Sequence, residues 1–432
     1  MRALASALLL ASAVATAAEE APAPPPQFVF AMHGFVSGSI YYQDGNLGPS
    51  EGQQSLFVNN QTPTTRAPNV DRLVFGGDVR QSRFNFSVAG PRVFGGAATP
   101  KAVLEIDFFG GFGSGNYGNA SLTPRLRWAY AELDFGGGNR LLAGQTNDLI
   151  FAMAPTSLAH IAFPYGYGSG NIGWRRPGLF GFHTFGSDTK MELAWEVGRS
   201  NWADSGAVTG SANTGNGIGQ NTVGSGGDPY GFSFGEASGL PAVEARVTVS
   251  SGTTLTAFVT GHWQRIDRSG VNATPPASGT TNTNLDVIAG NVGAKMAAGP
   301  LTVAATAFTG KNLAPIIGDF LAFQPNSVGD VHEYGGWVQA GWNFTKELSL
   351  WGYIGTDKPN QQDAIAAGYT KIQNVTSSAL LQYREGGFAV GPEWIHFYTK
   401  TRGSGGATTA ASRALDANLS ANQYMLTVNY YF

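Results

Sequence analysis

The connections between the extended segments of this chain limit its fold more than any single motif does. Sixteen segments predict β-strands because apolar and polar residues alternate along them. Their predicted bounds are 28–42, 71–89, 101–109, 124–135, 139–147, 172–185, 189–199, 241–250, 253–265, 285–298, 300–311, 332–344, 347–356, 372–384, 387–399 and 419–432. The segments are joined alternately by eight long loops and seven short turns. An up-and-down barrel with both ends on one side needs that count, whereas a β-sandwich has no reason to sort loop length by strand order.

The last ten residues, QYMLTVNYYF, show the alternation most clearly. Tyr424, Leu426, Val428, Tyr430 and Phe432 fall on one face of a strand, and more polar residues fall on the other. Charged residues make up only 13 % of the chain, about half the usual share. Mean hydropathy is nonetheless −0.09, as expected when only every second residue faces lipid.

The chain after its first twenty residues contains no apolar run long enough for a membrane-spanning helix. A membrane-embedded form would therefore have to be a closed barrel, because open sheet edges cannot face hydrocarbon. We predict an all-β protein: a transmembrane antiparallel up-and-down β-barrel of 16 strands over 27–432, with short periplasmic turns and long extracellular loops. The last strand is expected to close against the first. Aromatic residues near strand ends fit interfacial girdles; they are Tyr41, Tyr42, Tyr130, Trp263, Tyr398, Tyr430 and Tyr431.

The first residues predict export. Arg2, a short apolar core and a small-x-small pattern ending at Ala17 are typical of a secretory signal peptide, placed at 1–17. Residues 18–26 form a Pro-rich, acidic lead that we interpret as a semi-rigid spacer. The chain has no cysteine, which excludes disulfides, thiolate chemistry and a lipid-anchoring cysteine.

Four stretches carry a family resemblance: DVRQSRFNF (78–86), LEIDFFG (104–110), RLRWAYAELDFG (125–136) and LLAGQTND (141–148). Together they resemble the DcaP-like outer-membrane porins over about the first third of the mature chain. The resemblance implies a homotrimer in the bacterial outer membrane, with lipid and lipopolysaccharide around it, a folded-in third loop, and diffusion of small, often anionic, metabolites. The aromatic C-terminal strand ending at Phe432 resembles the signal read by the barrel-assembly machinery. Some members begin with a helical coiled coil, and this chain has only the Pro-rich lead there.

A loop at 148–171 is the predicted constriction. It is unusually apolar for an external loop, so folding into the barrel would bury its side chains. Its apolar members are Leu149, Ile150, Phe151, Met153, Leu158, Ile161 and Phe163. The alternative is that it packs on a neighbouring subunit.

Charged residues cluster on the strands before and after this loop. A sixteen-stranded barrel is otherwise a wide aqueous tube, and rings of charge select ions by sign. The predicted pore-constriction residues are Arg80, Arg83, Arg125, Arg127, Arg175, Arg176, Glu105, Asp107 and Asp148.

Strand parity orients these residues. Arg125 and Arg127 share a face opposite Leu126, Trp128 and Tyr130, so both should face the lumen.

Three further arginines and the acids are less regular. Arg80 is out of parity with Arg83, which indicates a bulge or a rim position. Arg175 and Arg176 cannot both face inward in a regular strand. The loop itself offers one acid, Asp148, and Glu105, Asp107 and Glu132 could pair with arginines from the wall.

Other kinds of site find little support. The six histidines are scattered without metal-ligand spacing, and acids in 200–240 are too sparse for a confident calcium site. Ser169 in GYGSGN is not on a strand-to-helix elbow. No metal, cofactor, catalytic residue or nucleic-acid partner is predicted. The function predicted is passive diffusion of small hydrophilic solutes, with a mild preference for anions such as carboxylates and phosphate. The alternatives are a phosphate- or oligosaccharide-preferring channel, a plugged surface-binding or structural barrel, and an outer-membrane enzyme.

Overall fold

The computed structural model describes residues 27–49, 52–58, 73–110, 122–200, 234–267, 284–313, 315–316, 330–366, 371–402 and 417–432. The predicted signal peptide, the Pro-rich lead and most of the loop 200–240 lie outside these residues. The strands are β1 (Val29–Gln43), β2 (Leu47–Pro49), β3 (Ser55–Val58), β4 (Val74–Asp78), β5 (Arg83–Ala89), β6 (Thr99–Asp107), β7 (Arg125–Gly136), β8 (Asn139–Asn147), β9 (Arg175–Phe185), β10 (Thr189–Gly198), β11 (Ala242–Ser251), β12 (Leu255–Asp267), β13 (Asn284–Ala298), β14 (Leu301–Lys311), β15 (His332–Asn343), β16 (Leu348–Pro359), β17 (Lys371–Glu385), β18 (Phe388–Thr401) and β19 (Ala417–Tyr431). Two short helices span Phe234–Ala237 and Gln361–Ala366.

All strands except the β2–β3 hairpin belong to one antiparallel sheet that closes on itself. Both β4 and β5 pair with β1, so they are two halves of one interrupted strand, and the barrel has 16 strands. The ring closes between β1 and β19, where Gly34 and Phe432 exchange backbone hydrogen bonds of 3.0 and 3.1 Å. The predicted fold and the pairing of the last strand with the first are confirmed.

The two faces of each strand meet different surroundings. On β19, Tyr424 and Leu426 are exposed on the outer surface, while Gln423 and Thr427 on the inner face are fully buried. Exposed and buried residues also alternate along β13, β15 and β17, although on these strands the buried positions include apolar residues that pack inside the barrel. The outer surface is therefore an apolar belt, and the polar groups of the wall lie inside the barrel.

The aromatic residues at strand ends divide between these faces. Tyr42 and Tyr424 pack together on the outside, with ring centroids 6.2 Å apart. Tyr41, Tyr130 and Tyr431 point inward instead, which corrects the girdle prediction for these three residues. Residue position near a strand end does not determine which face a side chain occupies.

The seven short connections lie at one end of the barrel, and the strand ends that lead into the long connections lie at the other. Gly137–Gly138 and Gly252 take positive φ in the short turns, a conformation that glycine adopts without a steric penalty. Among the described residues, no helix has the length and apolar character to cross a membrane.

Candidate functional site

Two acids on the inner face of β6 organise a cluster of arginines. Asp107 accepts hydrogen bonds of 2.9 and 2.6 Å from Arg125 and one of 2.9 Å from Arg127. Glu105 accepts a 2.7 Å bond from Arg127 and lies 3.7 Å from Arg83. Alternation along β6 puts both acids on one face, and β5 and β7 pair with β6 on either side. The arginines therefore reach the same two carboxylates from both neighbouring strands.

A β-bulge in β7 shapes this cluster. The register shifts between the pairs Glu105–Trp128 and Ile106–Leu126, so Arg127 is the extra residue. Arg125 and Arg127 point into the lumen as parity indicated. Trp128 and Tyr130 point inward as well, because the bulge reverses the alternation after Arg127. The prediction that these two aromatic residues lie opposite the arginines is wrong for that reason.

Aromatic rings hold Arg125 from the loop side. Its guanidinium lies 4.7 Å from the ring centroid of Phe163, 5.2 Å from Trp174 and 5.3 Å from Phe109. Cation–π contacts of this kind stabilise a charge that is partly removed from water. Phe109 also lies 4.6 Å from the guanidinium of Arg80.

Arg80 lies in the interruption between β4 and β5. It binds Asp78 through contacts of 2.9, 3.0 and 2.6 Å. Its parity mismatch with Arg83 follows from this break in the strand. Because its charge is neutralised locally, Arg80 adds little to the field of the main cluster.

Arg175 is buried without a matching acid. Its guanidinium stacks 3.9 Å above the ring of Trp174, near Arg125 and Arg127. It is 3 % exposed, its Nε has no hydrogen-bond partner, and no carboxylate among the described residues forms an ion pair with it. β9 begins at this residue rather than at 172, so Arg175 follows the loop into the barrel instead of pointing outward.

We call Arg83, Arg125, Arg127, Arg175, Glu105 and Asp107 the arginine cluster. It holds four guanidinium groups against two carboxylates, so its formal charge is positive. This imbalance is the main electrostatic feature of the inner wall.

Arg176 occupies a separate, acidic cluster on β9, β10 and β11. Its guanidinium lies 3.2 Å from Asp148, 3.4 Å from Glu196 and 3.7 Å from Glu244. Glu244 is also 2.6 Å from Nδ1 of His262. Both consecutive arginines are therefore buried, in two different clusters, which the parity argument did not foresee.

The acidic cluster fastens the start of the loop that follows β8. Backbone N–H groups of Leu149 and Ile150 donate to Glu196 and Glu244 over 3.1 and 2.7 Å. Asp148 accepts from the backbone N–H of Trp174, so it ties the two ends of the loop together. Burial raises the pKa of Asp148, and the nearby charge of Glu244 raises it further.

The loop 148–174, which we call the inner loop, lies inside the barrel. Ile150 packs with buried residues of β12, β13 and β14. Leu158 packs with Leu380 of β17 and Ala389 of β18. Of its apolar side chains, Leu149, Ile150, Leu158 and Phe163 are buried, and Phe151, Met153 and Ile161 are partly buried. Its folded range extends three residues beyond the predicted 148–171.

An open cavity remains beside the arginine cluster. It measures about 440 Å³ and is lined by β1, β5, β6 and β7, with Tyr431 of β19 at its edge. Arg83, Asn85 and Glu105 reach it from the wall, and Lys101 and His33 lie towards the short-turn end. Charged and polar groups on one wall therefore face the space that the inner loop leaves free.

The remaining predicted groups have structural partners. Glu132 binds Arg140 at 3.3 Å and does not reach the arginine cluster. The Ser169 hydroxyl donates to the Tyr165 carbonyl, and Tyr353 is its other near neighbour. Within the described ranges, no group of three or more His, Asp or Glu side chains could hold a metal ion.

Sequence reasoning missed several contributors. Phe109 and Trp174 contact arginines but lie outside regular strand alternation. Gln81 donates to the Leu158 carbonyl at 2.7 Å and accepts from the Ile161 N–H at 3.1 Å. Residues 52–58, between β1 and β4, also attach to the inner wall, although the polar composition of the stretch 43–70 is typical of an external loop. In the sequence, only the nearness of Gln81 and Trp174 to arginines indicated that these two residues belong to the site.

Comparison with known proteins supports the fold. No protein-family model matches the chain, and no curated protein matches it. Among solved structures, the outer membrane channel DcaP of Acinetobacter baumannii is 15 % identical with a TM-score of 0.64, covering 94 % of this chain and 97 % of that one. An anion-selective porin from Comamonas acidovorans is 11 % identical with a TM-score of 0.56, covering 94 % and 100 %. The trimer form of OmpT, an outer membrane protein of Vibrio cholerae, is 12 % identical with a TM-score of 0.50, covering 94 % and 99 %.

These identities are low, so the likeness concerns the fold. The closed 16-stranded ring, its long loops at one end and its apolar outer belt agree with that likeness. The chain has the DcaP-like porin fold, a closed barrel of 16 antiparallel strands.

Proposed function

We propose that this protein is a porin through which small hydrophilic solutes diffuse passively, with a preference for anions. The observation that carries the proposal is the arginine cluster, in which four guanidinium groups face two carboxylates beside the open cavity. A surplus of fixed positive charge at a narrow point attracts anions and repels cations. Guanidinium groups also bind carboxylate and phosphate through paired hydrogen bonds.

The acidic cluster does not cancel this preference. Asp148, Glu196 and Glu244 have side chains at most 2 % exposed, and Arg176 and backbone N–H groups occupy their oxygens. They lie behind the start of the inner loop rather than along the cavity. Arg83 of the arginine cluster lines the cavity and none of these three acids does, so a passing ion comes closer to the arginine cluster.

Arg175 gives the sharpest test. Replacing Arg125 or Arg127 would leave the fully buried Asp107 without part of its compensation, and loss of selectivity could then reflect damage to the wall. Arg175 compensates no carboxylate among the described residues, so Arg175→Gln removes charge without orphaning an acid.

The measurement is the reversal potential across a tenfold salt gradient for purified protein in a planar bilayer. A unit charge about 4–8 Å from an ion in water contributes about 0.5–1 kcal/mol, so Arg175→Gln should lower the anion-to-cation permeability ratio roughly two- to fivefold. Arg265→Gln is the control. Arg265 binds Asp286 at 2.9 Å on the outer face, away from the lumen. Cation preference of the unmodified protein, or equal shifts in both variants, would refute anion selection by this cluster.

A plugged barrel is the second candidate. The inner loop hydrogen-bonds to Glu244, Gln339 and Glu393, which come from well-separated strands, and such bracing would suit a closed lumen. Stable conductance steps would exclude it, and a silent bilayer with correctly folded protein would favour it. Assembly as a homotrimer is also part of our proposal, and native mass spectrometry of the detergent-extracted protein should give the mass of three mature chains.

A further inference from the structure

A second loop enters the barrel above the inner loop. It comprises β2, a short 3₁₀ turn (Gly52–Gln54) and β3, and we call it the first-loop hairpin (47–58). The Val58 N–H donates to the Thr399 hydroxyl at 2.9 Å, and Asn374 donates to the Leu56 carbonyl at 3.0 Å. Gln423 donates to the Gly52 carbonyl at 2.9 Å. The hairpin is therefore attached to β17, β18 and β19 by hydrogen bonds to its own backbone.

The same wall residues also hold the inner loop. Asn374 donates a second bond, of 2.8 Å, to the Gly168 carbonyl. Oε1 of Gln423 lies 3.1 Å from Nε2 of His160. Leu47 and Val58 of the hairpin belong to one buried apolar cluster with Ala159 and Tyr165 of the inner loop. The two loops form consecutive layers on one wall and share its amide side chains.

Six polar side chains on the inner face of this wall have no access to water. Asn374, Thr376, Thr399, Gln423, Thr427 and Asn429 are all fully buried. Residues on the inner face of an open porin lumen would be exposed to solvent instead. On β5 and β6, which follow β19 and β1 around the ring, Arg83 and Asn85 are partly exposed, Lys101 is exposed, and all three line the cavity.

We infer that the first-loop hairpin and the inner loop seal the β17–β19 side of the lumen, so that solutes pass only along the β5–β7 wall. This inference rests on the proposed channel function and adds the route. The sealed side is lined mostly by uncharged polar side chains, with Glu393 of β18 held against the inner loop, and the open side carries the arginine cluster. Every permeating ion would then come within reach of the guanidinium groups, which a lumen open on all sides would not ensure.

The absence of cysteine from the chain allows a direct test with single cysteine variants and a negatively charged methanethiosulfonate reagent. Asn85→Cys places the thiol on the proposed route, and Thr399→Cys places it beneath the hairpin. We expect Asn85→Cys to react and its conductance to fall. Thr399→Cys should react at least about tenfold more slowly in the folded protein, because a fully buried site must open before it reacts, and at an ordinary rate after unfolding. Comparable reaction rates at the two sites in the folded barrel would overturn the inference.

A second variant replaces 47–58 with a short Gly–Ser linker. Opening the sealed side should make Thr399→Cys as reactive as Asn85→Cys, raise single-channel conductance and lower the anion preference, since the added path lies away from the arginine cluster. Unchanged reactivity of Thr399→Cys in a folded hairpin-deleted barrel would contradict the inference.

The sealed side and the channel function can be refuted independently of each other. Labelling measured by mass spectrometry needs no conductance, so it tests the sealed side even if every variant is silent in bilayers. Silence of the unmodified, folded protein would refute the channel function alone. If the variant that lacks 47–58 does not fold, the comparison of Asn85→Cys with Thr399→Cys in the full-length chain decides the question.

Discussion

At the scale of single residues, the inner wall is governed by how guanidinium groups and carboxylates are shared. Asp107 and Glu105 each contact two arginines, whereas Arg176 alone contacts three acids. Charges removed from water are tolerated only when paired and hydrogen-bonded. The two clusters therefore have opposite charge surpluses. The arginine cluster reaches the cavity through Arg83 and Glu105, and the acidic cluster fastens the inner loop.

Arg176 should be the most costly arginine to remove. Arg176→Gln leaves Asp148, Glu196 and Glu244 buried without their shared guanidinium, a loss of about 3–5 kcal/mol. We expect a clear fall in the midpoint of heat-induced loss of β-structure, measured by circular dichroism at one fixed scan rate.

Arg140→Gln is the matched control for that substitution. The Arg140 side chain is 37 % exposed and pairs with Glu132 and Glu192, so its loss should cost less than about 1 kcal/mol. Equal shifts of the two midpoints would show that the acidic cluster does not depend on Arg176.

At the scale of elements, the inner loop behaves as a braced insert rather than a free connection. Gln339 of β15 accepts from the Thr156 N–H at 2.7 Å and donates to the Thr156 carbonyl at 2.8 Å. Glu393 of β18 accepts from the Ser157 hydroxyl and the Ala159 N–H. Backbone groups of a buried loop need such partners because water cannot reach them. The wall side chains thus set the position of the loop and the width of the remaining passage.

One close approach makes this bracing testable. Gly170 has φ +113°, and a Cβ there would overlap the backbone of Gly336 in β15. Gly170→Ala should therefore lift the loop from β15, speed chymotryptic cleavage within 148–174 and increase current noise.

Gly96→Ala is the control for the backbone strain that any side chain at positive φ introduces, as in Gly170→Ala. Gly96 also has positive φ, +92°, but its Cβ would meet open space, so only a left-handed penalty of about 1–2 kcal/mol applies. If chymotrypsin cleaves the inner loop of Gly170→Ala no faster than that of the unmodified protein, the contact with β15 does not hold the loop.

At the scale of the whole molecule, a closed ring removes the sheet edges that hydrocarbon would not tolerate. The final closure joins residues almost 400 positions apart, with Gly34 and Phe432 exchanging two backbone hydrogen bonds. The Phe432 ring also packs near Phe84, with centroids 5.9 Å apart. The terminal residue therefore takes part both in the seam and in the outer aromatic surface.

Deleting Phe432 should weaken this seam. We expect less of the compact, heat-modifiable form on unheated gels after refolding into detergent, because one bonded pair at the short-turn end is lost. Tyr430→Ala, which keeps the terminal backbone, is the control. A larger loss of compact barrel from Tyr430→Ala than from the deletion would mean that outer aromatic packing, rather than the backbone seam, limits closure.

The sequence by itself determined the sixteen strands, their order and the end of the barrel that carries the long loops. Those features follow from a period of two and from connection lengths, which are local properties of the chain. It also indicated the inner loop and the arginines of β5 and β7. It could not place Trp128 and Tyr130, because a one-residue bulge opposite Ile106 reverses their faces.

Only the tertiary structure decided how the lumen is filled. Arg175 and Arg176 separate because one stacks on Trp174 and the other meets acids from β10 and β11. The first-loop hairpin turns inward because Val58 finds Thr399, 341 positions away. Such contacts have no signature in local alternation, since they depend on which walls closure of the ring brings opposite each loop.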